Sequence, residues 1–271
     1  MIDYLSFYKF REDPFGITPD PEFFYPSKSH LLALESMDYF LKKGEGFMLV
    51  TGGPGTGKTT LIRTFLKGSV DAVFPIVIYN PVLKPEDLLT GIVQTLSVSN
   101  PKSLSKSKFD LISTLKDHLF EKRKMGYKNV LILDEAQDIP NQTLNEIKHL
   151  SNLETDKEKL LNIILLSQPF FERTLSDPTY AQINQRITLR VKLDSLDKDG
   201  TEDYIRFRLQ KAGAAPILFD KGAIKLIHKA SKGIPRLINL ICSRTLMVGY
   251  LKGSYRINKS FVKLALKHLH L

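Results

Sequence analysis

Residues 52–59 read Gly-Gly-Pro-Gly-Thr-Gly-Lys-Thr, and they constrain this chain more than any other stretch. An apolar run, 47–50, precedes them, and a helix is predicted over 58–67. Strand, glycine-rich turn and helix in that order match G-x-x-x-x-G-K-[ST] without a mismatch. Gly52, Gly53, Pro54, Gly55, Thr56 and Gly57 let the backbone curl around phosphate oxygens, so successive N–H groups and the helix N-terminus, with Thr60 in its first turn, face an anion. Lys58 can reach the β- and γ-phosphates of ATP, and the Thr59 hydroxyl can ligate Mg²⁺.

A second chemical run lies downstream. Val130-Leu131-Ile132-Leu133 is apolar and ends in Asp134-Glu135. At the carboxyl end of a buried strand, Asp134 would hold Mg²⁺ and Glu135 would act as general base on the attacking water. A strand at 74–79 lies between the two motifs in sequence. The acid strand is therefore third in the chain, with another strand expected between it and the loop strand in the sheet.

Further short apolar runs at 161–167 and 187–193 complete five strands. Predicted helices at 28–43, 85–97, 107–124 and 141–151 alternate with them, and a polar linker is expected at 99–106. Strands interleaved with helices of this length specify a parallel sheet covered on both faces. After about residue 196 the pattern is helical only: 200–212, 220–231, 235–250 and 258–270. The expected organisation is an N-terminal arm packed on the ATPase core (1–27), an α/β domain (28–196) and a small all-helical domain (197–271). Within the arm, Pro and aromatic residues suggest an extended course.

Composition narrows the setting. With 271 residues, 42% hydrophobic and 25% charged, the chain has a globular composition, and no apolar run approaches the ~18 residues of a membrane span. One cysteine, Cys242, excludes a disulfide framework and a cysteine zinc site, and is expected as a buried thiol. The N-terminus lacks a secretory pattern, so the chain reads as cytoplasmic. Residues 204–271 hold 14 Lys+Arg against one acid, a net +13, whereas the other 203 residues hold 25 against 28, a net −3. Such asymmetry suits an acidic partner, nucleic acid or a membrane surface, and equally a solvated lysine face. Lys221, Lys225 and Lys229, and again Lys259, Lys263 and Lys267, form stripes opposite apolar faces.

Three more positions are candidates on weaker grounds. Gln168 ends the fourth apolar run, where a polar side chain could meet the γ-phosphate or the attacking water. Arg186 precedes the last strand, where it could project into a neighbouring subunit's site; spacing alone equally allows a surface arginine. Gly233-Ile234-Pro235-Arg236 opens a helix with proline in its first turn, which leaves Arg236 free to lean back onto the phosphates and also serves as a plain helix start.

Taken together, GGPGTGKTT, VLILDEAQ, the polar strand end, Arg186 and GIPR resemble the AAA+ ATPases. DPFGITPDPEFFYPSKSH (13–30), DEAQ (134–137), LSNLET (150–155), LSQPFFERTL (166–175), QRI (185–187), YIRFRLQKAG (204–213) and GIPRLINLICSR (233–244) resemble the ExeA-like ATPases, the general secretion pathway protein A family. Where family members commonly carry Gly-Gln-Pro-Glu-Leu, this chain has Ser167-Gln168-Pro169-Phe170-Phe171. The resemblance implies a P-loop NTPase with a helical lid, ATP and Mg²⁺ as cofactors, and oligomers whose sites are completed between subunits. It gives Gln168 the sensor-1 role, Arg186 the arginine finger and Arg236 the sensor-2 role, with Tyr25 and Pro26 near the adenine. It implies an assembly or motor ATPase in a secretion or cell-envelope system. A DNA-associated regulator of the transposition type, binding DNA non-specifically, is the alternative; the basic helical region and the lack of a membrane span fit it.

Overall fold

A computed structural model describes residues 4–44, 46–79, 81–96, 107–155, 158–214 and 217–271. The linker expected at 99–106 lies outside the described residues. The chain divides into two compact units, an α/β unit (Ser29–Gly52 and Thr64–Leu193) and a helical unit (Met1–Lys28, Gly53–Arg63 and Asp194–Leu271).

The α/β unit is built on five parallel strands, β1 (Phe47–Gly52), β2 (Val73–Ile78), β3 (Lys128–Leu133), β4 (Asn162–Ser167) and β5 (Ile187–Leu193), in the order β2-β3-β4-β1-β5. The acid strand β3 is thus separated from the loop strand β1 by β4, as its place in the chain predicts. Every residue of β1 and β4 is buried, as expected for central strands of a sheet covered on both faces. The two edges carry their own marks. Pro75, which cannot donate to a ladder, sits in β2, paired only with β3. At the other edge β5 alternates, with Thr188, Arg190 and Lys192 exposed and Val191 and Leu193 buried.

Helices Pro85–Leu96, Lys108–Lys124 and Asn141–Leu150 pack leucine and isoleucine faces into the same core as Leu49, Ile76, Leu131 and Ile163. The helix predicted over 28–43 spans Lys28–Lys43. Two short helices, Phe171–Leu175 and Ala181–Asn184, were not expected; segments of five and four residues are too brief to show a helical period.

The helical unit contains Lys198–Lys211, Lys221–Ser231, Pro235–Leu251 and Lys259–Leu269. Asp197, Asp220 and Asn258 accept hydrogen bonds from the N–H groups of Gly200, Ala223 and Ser260, satisfying donors that a helix start leaves open. Ile224, Ile227, Val262 and Ala265 face the interior while the six lysines of the two stripes are exposed. Cys242 is fully buried, and burial pushes its thiol well above the usual range.

The N-terminal segment is helical in part where an extended course was expected. It begins with a helix, Tyr4–Tyr8, and its buried aromatics Tyr8, Phe10, Phe15 and Phe23 belong to the core of the helical unit, with Ile205, Phe219 and Leu246. The Tyr8 hydroxyl lies 3.1 Å from the carbonyl oxygens of both Leu246 and Ser254. Arg11 N–H donates to the Ala212 carbonyl at 2.8 Å. A run that looked extended because of its prolines is therefore anchored by rings and hydroxyls reaching more than 200 residues along the chain. Among the described residues no helix is long and apolar enough to cross a membrane.

Candidate nucleotide site

Within the helical unit, residues 53–58 form the turn demanded by the glycine pattern. Thr56 closes it, its N–H and its hydroxyl both donating to the Gly53 carbonyl, at 3.3 and 2.8 Å. Gly55 and Gly57 have φ of 77° and 102°, a region that other residues enter only with strain. The helix Lys58–Gly68 follows directly, with its Leu61 N–H donating to the Gly57 carbonyl at 2.8 Å. Lys58 is buried, whereas Thr59 and Thr60 are half-buried.

The Gly233-Ile234-Pro235-Arg236 segment meets this turn. Arg236 N–H donates to the Gly55 carbonyl at 3.2 Å. A Cβ on Gly55 would stand 2.7 Å from Arg236 Cβ and 3.1 Å from Ile234 Cγ2. The approach is so close that only glycine admits it. Gly233 has φ 74° and is pressed against the Leu196 carbonyl, while its own carbonyl accepts the Leu196 N–H at 2.9 Å. Arg63 also reaches back, donating to the Pro19 carbonyl at 2.8 Å. Tyr25 packs edge-on against Tyr204 (5.8 Å) and against Phe207 (5.7 Å). Burial, with Asp203 and Asp197 nearby, holds the Tyr25 phenol above its usual pKa.

In the α/β unit the strand register gathers the remaining candidates at one edge. Thr51 is opposite Ser167 and Leu133 opposite Leu165, so Gly52, Asp134 and Gln168, each one residue further, all fall at the carboxyl ends of β1, β3 and β4. Asp134 is buried and continues the ladder, its N–H donating to the Ile78 carbonyl at 3.1 Å. Its carboxylate accepts the Glu135 N–H at 3.0 Å. Glu135 has left-handed backbone angles (φ 54°, ψ 45°), and its carboxylate accepts from Gln137 Nε2 at 2.7 Å. Gln137 Oε1 in turn accepts the Gln168 N–H at 3.0 Å.

Arg186 lies at the opposite edge. Its carbonyl accepts the Phe47 N–H at 3.0 Å, at the amino end of β1. Its guanidinium donates to Ser151 Oγ (2.6 Å), Asn152 Oδ1 (2.8 Å) and the Lys148 carbonyl (3.5 Å), at the end of the helix Asn141–Leu150. Five strand rises, about 17 Å, separate that position from the carboxyl edge, which is further than an arginine side chain reaches.

An AAA domain family matches residues 41–175. General secretion pathway protein A of Aeromonas hydrophila is 40% identical over 263 residues, an alignment that takes in 97% of this chain and 48% of that protein. The chain therefore spans about half the length of the curated relative it matches. Among solved structures, the Aeropyrum pernix ORC1 protein in complex with DNA superposes with a TM-score of 0.69 at 17% identity (96% of this chain, 70% of that one). Cdc6p from Pyrobaculum aerophilum gives 0.71 at 18% (96% and 71%). The Thermotoga maritima RuvB Holliday junction branch migration motor gives 0.60 at 19% (89% and 67%). At such identities these structures speak for the fold. This chain is an AAA+ protein.

In this AAA+ chain the candidates fall into three groups. Residues 53–60 and Arg236 meet in the helical unit; in the α/β unit Gly52, Asp134, Glu135 and Gln168 share the carboxyl edge of the sheet, and Arg186 lies at its amino edge. The residues present suit a nucleotide with Mg²⁺: an N–H-rich turn with a lysine for phosphate, and a hydroxyl and a carboxylate as hard oxygen donors for a cation that keeps several of its waters. Sequence reasoning assigned nothing to Gln137 or to Ser151 and Asn152, although DEAQ and LSNLET contain them. Their part is legible only from which side chains the fold brings within hydrogen-bonding distance.

Proposed function

We propose that this chain binds ATP with Mg²⁺ and hydrolyses it to ADP and phosphate, as a cytoplasmic assembly or motor ATPase of a secretion or cell-envelope system. The observation that supports hydrolysis most is the shared carboxyl edge, where the strand leading into the phosphate loop ends beside the strands that end in Asp134-Glu135 and Gln168. Residues 52–60 bind the phosphates through backbone N–H groups, with Lys58 supplying positive charge. Thr59 and Asp134 hold Mg²⁺, which when bound neutralises developing phosphate charge. Glu135 takes the proton of the attacking water, and Gln168 orients that water or the terminal phosphate. Arg236, tied to Gly55 through its backbone, reports on the phosphates as the sensor-2 residue.

Arg186, at the amino edge of the sheet, completes the site of an adjacent copy, so the working form is a homo-oligomer. We assign residues 28–196 to the ATPase domain, 197–271 to the lid and 1–27 to the N-terminal segment. The secretion role rests on the 40% identical relative.

Glu135→Gln should keep ATP binding and lose turnover by about 10²- to 10⁴-fold; undiminished hydrolysis would reject the base assignment. Mixing Arg186→Ala with Lys58→Ala protein should restore part of the activity if the arginine acts in trans. No rescue in proven mixed assemblies counts against it. One observation favours the second reading, a DNA-associated regulator: the exposed lysine stripes of a region with net charge +13. DNA binding that weakens steeply with salt supports that reading, and no binding at low salt ends it.

A further inference from the structure

One side chain links the proposed base to the neighbouring strand. Gln137, in the short turn Ala136–Asp138, lies between Glu135 and Gln168. A carboxamide has one accepting end and one donating end. The Gln168 N–H can only donate, so it takes the Oε1 end, at 3.0 Å. That orientation turns Nε2 to the Glu135 carboxylate at 2.7 Å, with Asp138 Oδ2 at 3.2 Å as a further acceptor. The bridge therefore joins the ends of two adjacent strands, β3 and β4, not two points of one loop.

Glu135 needs such a restraint. Its backbone occupies the left-handed region, at φ 54°, where a non-glycine residue is strained. Its N–H is held by Asp134 and its carboxylate by Gln137, so the residue is fixed at both ends. Few residues could replace the glutamine. Glutamate accepts but does not donate, methionine does neither, and asparagine is one methylene shorter.

We propose that Gln137 is a positioning residue that ties the Glu135 carboxylate to the end of β4, so that whatever engages Gln168 also sets where the base points. This rests on the reading of Glu135 as the general base.

The test compares Gln137→Met, Gln137→Glu and Glu135→Gln in the otherwise unchanged chain. It measures ATP turnover, affinity for a fluorescent ADP analogue, melting temperature, and exchange of the Gln168 backbone amide by NMR without nucleotide. Both Gln137 variants should lose about 10- to 100-fold in kcat, the scale of a base displaced by about an ångström. KM and ADP affinity should stay within about twofold, since the contact serves the reacting geometry and not ground-state binding. Exchange at Gln168 should accelerate in Gln137→Met, which lacks the acceptor, and stay slow in Gln137→Glu, which keeps it. Adding Gln137→Met to Glu135→Gln should cost nothing more.

Wild-type kcat in both Gln137 variants, with Glu135→Gln inactive, overturns the proposal. So does a parallel fall of kcat and ADP affinity, which marks mere structural support. If Gln137→Met melts, Gln137→Glu decides alone on the same terms. Wild-type turnover in Glu135→Gln instead overturns the base reading and the proposal resting on it. Gln168 exchange, which needs no turnover, shows separately whether the bridge exists.

Discussion

The two units hold their polar groups by different means. In the α/β unit the strand ladder does most of the placing: parallel register alone gathers the carboxyl ends of β1, β3 and β4 at one edge of the sheet, over a core dominated by Leu, Ile and Val. Among its described residues the helical unit has no strand ladder beyond an isolated bridge between Phe219 and Ile257, and it must hold an irregular N-terminal segment. Its core is rich in rings, among them Tyr8, Phe10, Phe15, Phe23, Tyr204 and Phe219, and its polar links run from side chains to stray carbonyls. Repetitive hydrogen bonding spares the first unit individual anchors; the second depends on a few. Single substitutions in those anchors should therefore be disproportionately costly.

The largest effect is expected at Gly233. A Cβ there would fall 1.8 Å from the Leu196 carbonyl oxygen, on backbone already at φ 74°. Gly233→Ala should destabilise the helical unit by about 3–5 kcal/mol, because neither the carbonyl nor the left-handed backbone can yield cheaply. Denaturant unfolding followed by hydrogen exchange would locate the loss. The contrast with the α/β unit fails if exchange accelerates equally in the β-strands. As a control in that unit, Gly91→Ala should be tolerated, since its added methyl meets nothing within 4 Å in the helix Pro85–Leu96.

The same contrast decided what could be read from sequence. The five strands, the helix Lys28–Lys43 and the all-helical character after β5 follow from period and length, which are local signals; of the strand order, only the strand between β3 and β1 was expected. The positions of Asp134, Glu135 and Gln168 at strand ends were legible for the same reason. Their hydrogen-bond partners were not, since Gln137 meets Gln168 across 31 residues and Arg186 meets Ser151 across 35. Nor were the anchors of the N-terminal segment, where Tyr8 is buried against Leu246 and Ser254. Ring packing at such separation leaves no periodic trace.

Arg208 should give the next largest effect. It is buried, and its guanidinium donates to the Pro14 carbonyl at 2.5 Å, the Gly16 carbonyl at 3.4 Å and the Tyr204 hydroxyl at 2.9 Å. It also stands 4.7 Å above the Phe23 ring. Three acceptors thus share one cation, two of them on the N-terminal segment. Arg208→Leu should cost about 2–4 kcal/mol, because it orphans buried acceptors in addition to losing the bonds. Arg208→Lys should recover only part of it, since an ammonium cannot span the same fork. Limited proteolysis at residues 9–20 reads the loosening directly. Protection equal to wild type in Arg208→Leu would show that the rings alone hold the segment.

The smallest effect is silent at neutral pH and appears only in alkali. Tyr4, Tyr8, Tyr25 and Tyr204 all lie in the helical unit, and all hold their protons more tightly than a free phenol, chiefly because burial disfavours the phenolate; Tyr8 is pushed up to about 12. Their folded values stand above the unfolded value of 10.0, so the folded state keeps protons that the unfolded chain releases. The stability this contributes is complete below pH 10 and is lost as pH rises from there toward 12. Hydrogen exchange between pH 9 and 11.5, corrected for intrinsic rates, should show the helices Lys198–Lys211 and Pro235–Leu251 opening before the strands do. Tyr8→Phe removes one of the four titrating groups along with two acceptor contacts. It should lower stability by about 1 kcal/mol at pH 8, the net value of a buried hydrogen bond, and flatten the alkaline fall. A slope unchanged in Tyr8→Phe would mean that Tyr8 carries none of the alkaline sensitivity, which then belongs to the other three tyrosines or to the lysine surface, whose loss of charge in the same range affects solubility and association without singling out one unit.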